Sequence, residues 1–255
     1  MVTNLGQNFL IDKRVAEREI GLADLNSKDV VLEIGPGKGI LTSILSKKAK
    51  KVIAIEIDKE LYYFLQQKLP KNVILINKDV LKTNLGKLPK FNKIVSNLPF
   101  EISSPVTFKL LNYPFDKAIL VYQKDFADRM VAKPNSKNYS RLSVNIYYKT
   151  YCRTIEIIPR TCFFPQPKVD ACVVELIKRK NPPFIVKNEE LFFNLTKLLF
   201  NYRRKKIGTI STKLFGKIDN LPYSDNRVED LTPEQIGNLC DFIFMNCKVD
   251  DILSI

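Results

Sequence analysis

The chain of 255 residues contains no histidine. That absence excludes Ser-His-Asp catalysis, imidazole metal ligation and the one side chain whose ordinary pKa lies near neutrality. Whatever reaction the protein runs must move protons by other means. Cysteine is sparse: five residues, an odd number, with no C-x-x-C pair. Neither a disulfide framework nor a zinc cluster fits that spacing, so free thiols in a reducing compartment are expected. No apolar run approaches the ~20 residues that a membrane helix needs. The opening residues Met1 to Gln7 lack the shape of a signal peptide, and a cytoplasmic protein without membrane partners is expected. Nothing demands more than a monomer. Internal repeats and low-complexity tracts are also missing.

Acidic residues are in deficit. Lys plus Arg number 41 against 27 Asp plus Glu, a formal charge of +14. Such an excess points to a polyanionic partner, because Lys and Arg that neutralise phosphates release counterions. From Lys178 onward there are 13 basic and 10 acidic residues, +3, which leaves +11 on the first 177 residues. Lys47-Lys48, Lys50-Lys51 and the stretch from Lys87 to Lys93 carry part of it. In the remainder Arg203, Arg204, Lys205 and Lys206 form a run of four cations, which reads either as a solvated helix end or as an RNA-binding patch. RNA backbone is expected to lie across both parts of the chain, held by phosphate contacts that position without specifying sequence.

Apolar patterning sets the architecture. Val30 to Ile34 and Val52 to Ile57 are near-continuous apolar runs, as in parallel strands covered on both faces. Val73 to Ile76, Ile94 to Ser96 and Ala118 to Tyr122 continue the series. Ile40 to Lys48 and Lys59 to Leu69 show helical spacing between them, and Lys109 to Leu111 ends a third helix. Alternation of this kind means βαβ units and a doubly wound α/β sheet. Two further strands are expected near Val144–Tyr148 and Ala171–Ile177, the last antiparallel to its neighbours. At Lys178-Arg179-Lys180-Asn181-Pro182-Pro183 the pattern stops with a linker signal. Beyond it Leu191 to Phe200 is periodic as a helix, and Thr232-Pro233-Glu234 is an N-cap followed by proline. The chain thus divides into residues 1–179 and a small all-helical domain, 180–255.

Glycine is scarce too, nine in all, yet three fall within five positions: Gly35, Gly37 and Gly39. They follow the first strong strand and precede a helix, where backbone must turn sharply and approach a ligand. The spacing is G-x-G-x-G, not the G-x-G-x-x-G that seats a pyrophosphate. With Pro36 inserted, it argues for a nucleoside without a diphosphate. Glu56, 21 residues after Gly35 and at a strand end, is placed to bind ribose hydroxyls. Asp79, after the third strand, is placed to accept from an exocyclic amine.

Asn97-Leu98-Pro99-Phe100 closes the fourth strand at the carboxyl edge, where doubly wound sheets bind ligands. Asn97 offers a side-chain carbonyl, Pro99 lacks an N–H and turns the Leu98 carbonyl outward, and Phe100 offers a stacking surface. Adenine's exocyclic amine is a poor nucleophile because its lone pair is delocalised. Two acceptors holding its N–H groups favour a pyramidal nitrogen, and the proton leaves after transfer, when the nitrogen is cationic. No strong base is needed, which suits a chain without histidine.

Taken together these segments resemble the KsgA family of ribosomal RNA adenine dimethyltransferases, which is related to the erythromycin-resistance methylases. Leu5-Gly6-Gln7-Asn8-Phe9-Leu10 resembles the family's opening segment, Glu33 to Gly39 its S-adenosylmethionine loop, and Asn97 to Phe100 its catalytic turn. Phe163-Phe164-Pro165-Gln166-Pro167-Lys168-Val169 resembles its F-x-P-x-P-K-V segment. Leu199 to Lys205 and Arg227 to Leu231 resemble its C-terminal helices. The resemblance runs from residue 5 to about 235. It implies a Rossmann-like class I methyltransferase sheet of seven strands with a small C-terminal helical, RNA-contacting domain. It implies S-adenosylmethionine as cofactor, near Gln7, Asn8, Leu10, Gly35, Gly37, Gly39, Glu56, Ile57, Asp79, Val80 and Asn97, with no metal. It implies a catalytic turn at Asn97, Leu98, Pro99 and Phe100, with Phe100 and Phe163 sandwiching a flipped adenine. The expected substrate is small-subunit ribosomal RNA, dimethylated on two adjacent adenines near its 3′ end, with the small ribosomal subunit as partner. Position 100 is Phe where many members carry Tyr, and Ala171-Cys172 replaces the family's frequent Ser-Ala; neither removes the stack or the turn. Large-subunit rRNA methylation, a non-catalytic role in subunit assembly and a DNA adenine methylase stay open as alternatives.

Overall fold

The computed structural model describes residues 7–247, so Leu5 and Gly6 of the opening segment lie outside the described residues. Contacts divide the chain into two units. The first comprises the residues up to Ala127 together with Tyr151–Lys178, and the second Asp128–Thr150 with the residues from Arg179 onward.

The strands in chain order are β1 (Phe9–Leu10), β2 (Val30–Ile34), β3 (Lys51–Glu56), β4 (Val73–Asn77), β5 (Lys93–Asn97), β6 (Lys117–Gln123), β7 (Thr150–Ile158), β8 (Phe163–Phe164) and β9 (Ala171–Lys178). Seven of them form one sheet in the order β4-β3-β2-β5-β6-β9-β7. β4, β3, β2, β5 and β6 are parallel and β9 runs antiparallel to β6. Helix α1 (Lys13–Leu22) precedes β2, and α2 (Ile40–Lys48), α3 (Lys59–Gln66) and α4 (Ser103–Leu110) connect parallel strands. Carboxylates start two of them: Asp12 accepts from the Arg14 N–H, and Asp58 from those of Glu60 and Leu61. One core joins Val31, Val52, Val95, Ile119 and Val121 of the strands to Val15, Ala16 and Ile20 of α1 and Leu41 and Leu45 of α2.

The remaining helices are α5 (Lys124–Met130), α6 (Arg141–Lys149), α7 (Glu189–Phe200), α8 (Ile207–Phe215) and α9 (Pro233–Asn246). α9 begins with the expected Thr232 cap and Pro233, in a capping box with Gln235. The second unit has its own core, in which Val144 and Tyr148 of α6 meet Phe192 and Leu195 of α7, Ile210 of α8 and Ile236 and Leu239 of α9. The Tyr139 hydroxyl donates to the Leu231 carbonyl inside it, at 2.9 Å. Among the described residues no helix is long and apolar enough to cross a membrane, and all five cysteines are free thiols.

Two expectations fail here. Val144–Tyr148 lies within helix α6, not a strand; the neighbouring strand is β7. Apolar residues at 142, 144, 146 and 148 alternate with polar ones as in a strand, but Ser143 and Asn145 between them are buried as well, and Val144 and Tyr148 pack into the helical core. Ser140 and Ser143 cap its start. The same burial moves the unit boundary. The run at Lys178–Pro183 marks one crossing between units, but Asp128–Thr150 pack with the helices. The helical unit is therefore discontinuous in sequence, and a single boundary at residue 179 does not describe it.

Glu19 on α1 and Glu33 on β2 are among the almost fully buried carboxyl groups of the first unit. Burial disfavours the charged form and pushes both up to about 8, with Thr42 partly offsetting this at Glu33. Each contribution to stability is complete below the ordinary value of 4.5 and is lost as pH rises through about 8. Thermal unfolding followed by calorimetry is therefore expected to show a midpoint that declines over that range. Glu33→Gln, neutral throughout, is expected to give a shallower decline; parallel curves would contradict this origin.

Candidate active site

The chain leaves β2 outward to β3 and β4, then returns to place β5 on β2's other side. Between β2 and β5 the strand order reverses, and a crevice opens at the carboxyl ends. Ser96, one residue before the end of β5, ties the two strands together there. Its hydroxyl donates to the Ile34 carbonyl at 2.6 Å and accepts the Ile34 N–H at 3.3 Å. The glycine loop after β2 and the Asn97 turn after β5 are held side by side as a result.

Gly35 and Gly37 both have positive φ, 68° and 59°, which side-chain-bearing residues rarely adopt. A Cβ on Gly37 would lie 2.8 Å from the Phe9 ring, and one on Gly35 would touch Pro99 at 3.4 Å. The loop is thus closed over by the opening segment and abuts the Asn97 turn. β1 pairs with β8, Leu10 opposite Phe163 and Phe9 opposite Phe164, and the Asn8 amide donates to the Pro165 carbonyl at 2.7 Å. Those contacts set Gln7, Asn8 and Phe9 over the crevice.

The cavity beneath them holds about 170 Å³. Its walls are Gln7, Asn8 and Phe9; Ile34, Gly35 and Gly37; Ile55, Glu56 and Ile57; Lys78, Asp79, Val80 and Leu81; and Asn97, Pro99, Glu101 and Ile102. Glu56 is buried and accepts the N–H groups of Gly37 at 3.1 Å and Asp58 at 3.0 Å. Burial raises its carboxyl pKa, and those two backbone donors partly offset the rise. One oxygen of Asp79 accepts the Leu81 N–H at 2.8 Å. Carboxyl groups at Glu56 and Asp79 disfavour a diphosphate and suit hydroxyl and amine donors, while Ile57 and Val80 offer flat apolar flanks for a base. The donor set fits a nucleoside.

A second hollow of about 10 Å³, room for roughly one water, adjoins it and shares Asn8, Asn97 and Pro99. Leu98, Phe100, Val121 and Phe163 complete its walls. The Asn97 side-chain oxygen is buried and has no hydrogen-bond partner. A buried acceptor without a partner is costly unless something else fills the role. The Phe100 and Phe163 rings stand 6.3 Å apart at 60°, tilted against each other instead of parallel. Phe163 is buried in β8, and Phe100, on a one-turn 3-10 segment, is half-buried and packs against the same core.

Of the residues expected at the site, Gln7, Asn8, Gly35, Gly37, Glu56, Ile57, Asp79, Val80, Asn97 and Pro99 line the larger cavity; Leu98, Phe100 and Phe163 line the hollow. Two expected residues face elsewhere. Leu10 is buried opposite Phe163 and supports the lid segment from behind. Gly39 caps α2 with φ 82°, and a Cβ there would meet Leu65 at 2.7 Å. Sequence reasoning missed Phe9, Ile34, Ile55, Lys78, Leu81, Glu101 and Ile102 in the larger cavity and Val121 in the hollow. Phe9 and Glu101 lie inside or beside the quoted segments, so proximity in sequence could have found them; Lys78 and Ile102 carry no sequence signal.

The four-cation run lies in the second unit and its members are not equivalent. Arg203 donates to the carbonyls of Ser136 and Lys137 at 2.8 and 2.7 Å and pairs with Glu229 at 2.8 Å, which makes it a structural tie. Lys206 is exposed and pairs with Asp225 at 3.1 Å. Arg204 and Lys205 are exposed.

Comparison with known proteins accords with this geometry. The family model described as "Ribosomal RNA adenine dimethylase" matches residues 2–244. A Thermococcus gammatolerans protein named "Probable ribosomal RNA small subunit methyltransferase A" is 46% identical, covering 91% of this chain and 85% of its own. A Pyrococcus furiosus protein of the same name is 41% identical, covering 94% and 90%. Among solved structures, a dimethyladenosine transferase from Plasmodium falciparum superposes with a TM-score of 0.78 at 29% identity over 93% of this chain and 98% of that one. The 23S rRNA methyltransferase ErmE gives 0.69 at 27% over 92% and 98%. A sheet with a glycine loop and an Asn-Leu-Pro-Phe turn at its switch point, matched over nearly the whole length, places this chain in the ribosomal RNA adenine dimethylase family.

Proposed function

We propose that the protein transfers methyl groups from S-adenosylmethionine to the N6 amines of two adjacent adenines near the 3′ end of small-subunit ribosomal RNA. The observation that carries this reading is the buried, unpartnered oxygen of Asn97, set where the nucleoside-shaped cavity meets the aromatic hollow. Relatives at 41–46% identity named for the small subunit favour that substrate over the large one.

When bound, S-adenosylmethionine supplies an electrophilic methyl on a sulfonium. Glu56 holds the ribose hydroxyls and Asp79 the adenine amine, while Gln7, Asn8 and Phe9 close the top and exclude water. The target adenine is flipped from its stack and enters the hollow as Phe100 turns away from Phe163. Stacking on that pair is worth ~1–3 kcal/mol. The Asn97 oxygen and the Leu98 carbonyl accept the two N–H groups of the target amine, which withdraws its lone pair from the ring and aims it at the larger cavity. After transfer the nitrogen is cationic and sheds a proton without a dedicated base. Exposed Arg204, Lys205 and Lys206 contact phosphates, whereas Arg203 acts through the fold.

Asn97→Ala is expected to lower methyl transfer to unmethylated small subunits by about a thousandfold, the scale of losing one preorganised polar group, with cofactor affinity nearly unchanged. Normal transfer would refute the role given to Asn97. Glu56→Ala is expected to weaken cofactor binding about tenfold or more in calorimetry, one to three hydrogen bonds' worth; unchanged affinity would refute the ribose assignment.

A further inference from the structure

At the amino ends of the parallel strands, away from the crevice, the chain passes from α2 into β3 and from α3 into β4. The first passage carries Lys47, Lys48, Lys50 and Lys51, the second Lys68 and Lys71. The two are fastened together. The Asn72 side chain donates to the Ser46 and Ala49 carbonyls at 2.8 and 3.4 Å, and the Val52 N–H donates to the Asn72 carbonyl at 3.1 Å. All these lysines therefore share one edge of the sheet. Lys51 is half-buried and the others are exposed.

No carboxylate on this edge neutralises them. Neither Asp nor Glu occurs between Glu33 and Glu56, or between Glu60 and Asp79. The backbone brings Asp29 alongside, its carbonyl accepting the N–H groups of Lys50 and Lys51 at 2.9 and 3.4 Å. Asp29 is only 4% exposed, however, and its carboxylate accepts from the backbone and side chain of Asn26 and from Asn92 at 2.6–2.9 Å. Lys68 rests on the Phe64 ring, 3.8 Å from its centroid. None of these lysines is ion-paired, whereas elsewhere in the same unit Arg18 pairs with Glu156, and Lys117 and Arg153 pair with Glu175. The carbonyl ends of α2 and α3 favour cations in their last turns, which explains Lys47 and Lys48 but not Lys50 or Lys71. Uncompensated like charges repel, so the cluster costs stability unless an anion meets it.

We infer that this edge is a second docking surface for ribosomal RNA phosphates, separate from the crevice. The inference rests on the RNA substrate proposed above. The Lys50 and Lys51 N–H groups are already given to Asp29, so no backbone cradle for a single phosphate forms. Exposed ammonium groups on adjoining passages suit a row of phosphates instead, and such contacts position RNA without reading its sequence. The six residues of β3 separate this edge from the crevice by about 20 Å. RNA held here therefore touches neither cofactor nor target base.

The test compares the full chain carrying Lys47→Gln, Lys48→Gln, Lys50→Gln and Lys71→Gln together with a control of equal net charge. The control carries Lys180→Gln, Lys187→Gln, Lys197→Gln and Lys217→Gln, all at exposed positions of the second unit. Binding to unmethylated small ribosomal subunits and to protein-free small-subunit RNA is measured from about 0.05 to about 0.3 M salt. The edge variant is expected to lose at least about tenfold in affinity for both at about 0.1 M salt, with its slope of log affinity against log salt shallower by about 3. The control is expected to lose less than about threefold, and cofactor affinity should match wild type in both. An edge variant that keeps the wild-type salt slope, whatever its thermal midpoint, assigns the lysines to the helix ends and overturns the inference. An equal loss in the control reduces the effect to net charge and does the same. So does a loss confined to intact subunits, which points to an acidic ribosomal protein. In each of these cases wild-type methyl transfer to the subunits leaves the RNA reading standing; its absence would bring down both.

Discussion

The Ser96 hydroxyl, bonded to both the N–H and the carbonyl of Ile34, holds the ends of β2 and β5 in register where the sheet changes direction. Everything at the site depends on that junction. A Cβ on Gly35 would meet the Pro99 ring across it, so the glycine loop and the Asn97 turn share a wall. A reaction between two nucleosides needs their reactive atoms within a few ångströms, and a fixed junction supplies that proximity without a hinge.

The second constraint is proton handling without imidazole. The chain meets it by burying carboxyl groups at different depths. Glu56 is tied to two backbone N–H groups and offers its remaining lone pairs to the cavity. Glu33 on β2 and Glu19 on α1 are almost fully buried, and burial holds both far above the ordinary carboxylate range. None of the three needs to carry a proton to or from the substrate. In the proposed reaction the amine becomes acidic once it is alkylated, so no carboxyl group has to take its proton.

Much of this was legible in the residues. Strands of parallel sheets are buried on both faces, so their continuous apolar runs survive as a signal, and β2 to β6 lie where those runs fall. The glycine loop, Glu56 and the Asn97 turn were found because each demands particular residue types: no Cβ, an acceptor at a strand end, a missing N–H. Helix α6 was misread because a helix packed on most sides loses the polar face that periodicity needs. The unit boundary was misplaced for a related reason, since nothing local in 128–150 announces that these residues pack with helices far along the chain.

Composition, glycine spacing and the Asn-Leu-Pro-Phe turn determined by themselves the fold class, the family resemblance and most of the residues that line the two cavities. Only tertiary structure decided that Gly39 and Leu10 face away, and that Arg203 is a tie and not a free cation. Local sequence encodes what a residue can do through its own backbone and side-chain chemistry. Which partners it meets depends on contacts between segments dozens of residues apart, and those are settled only when the two cores close.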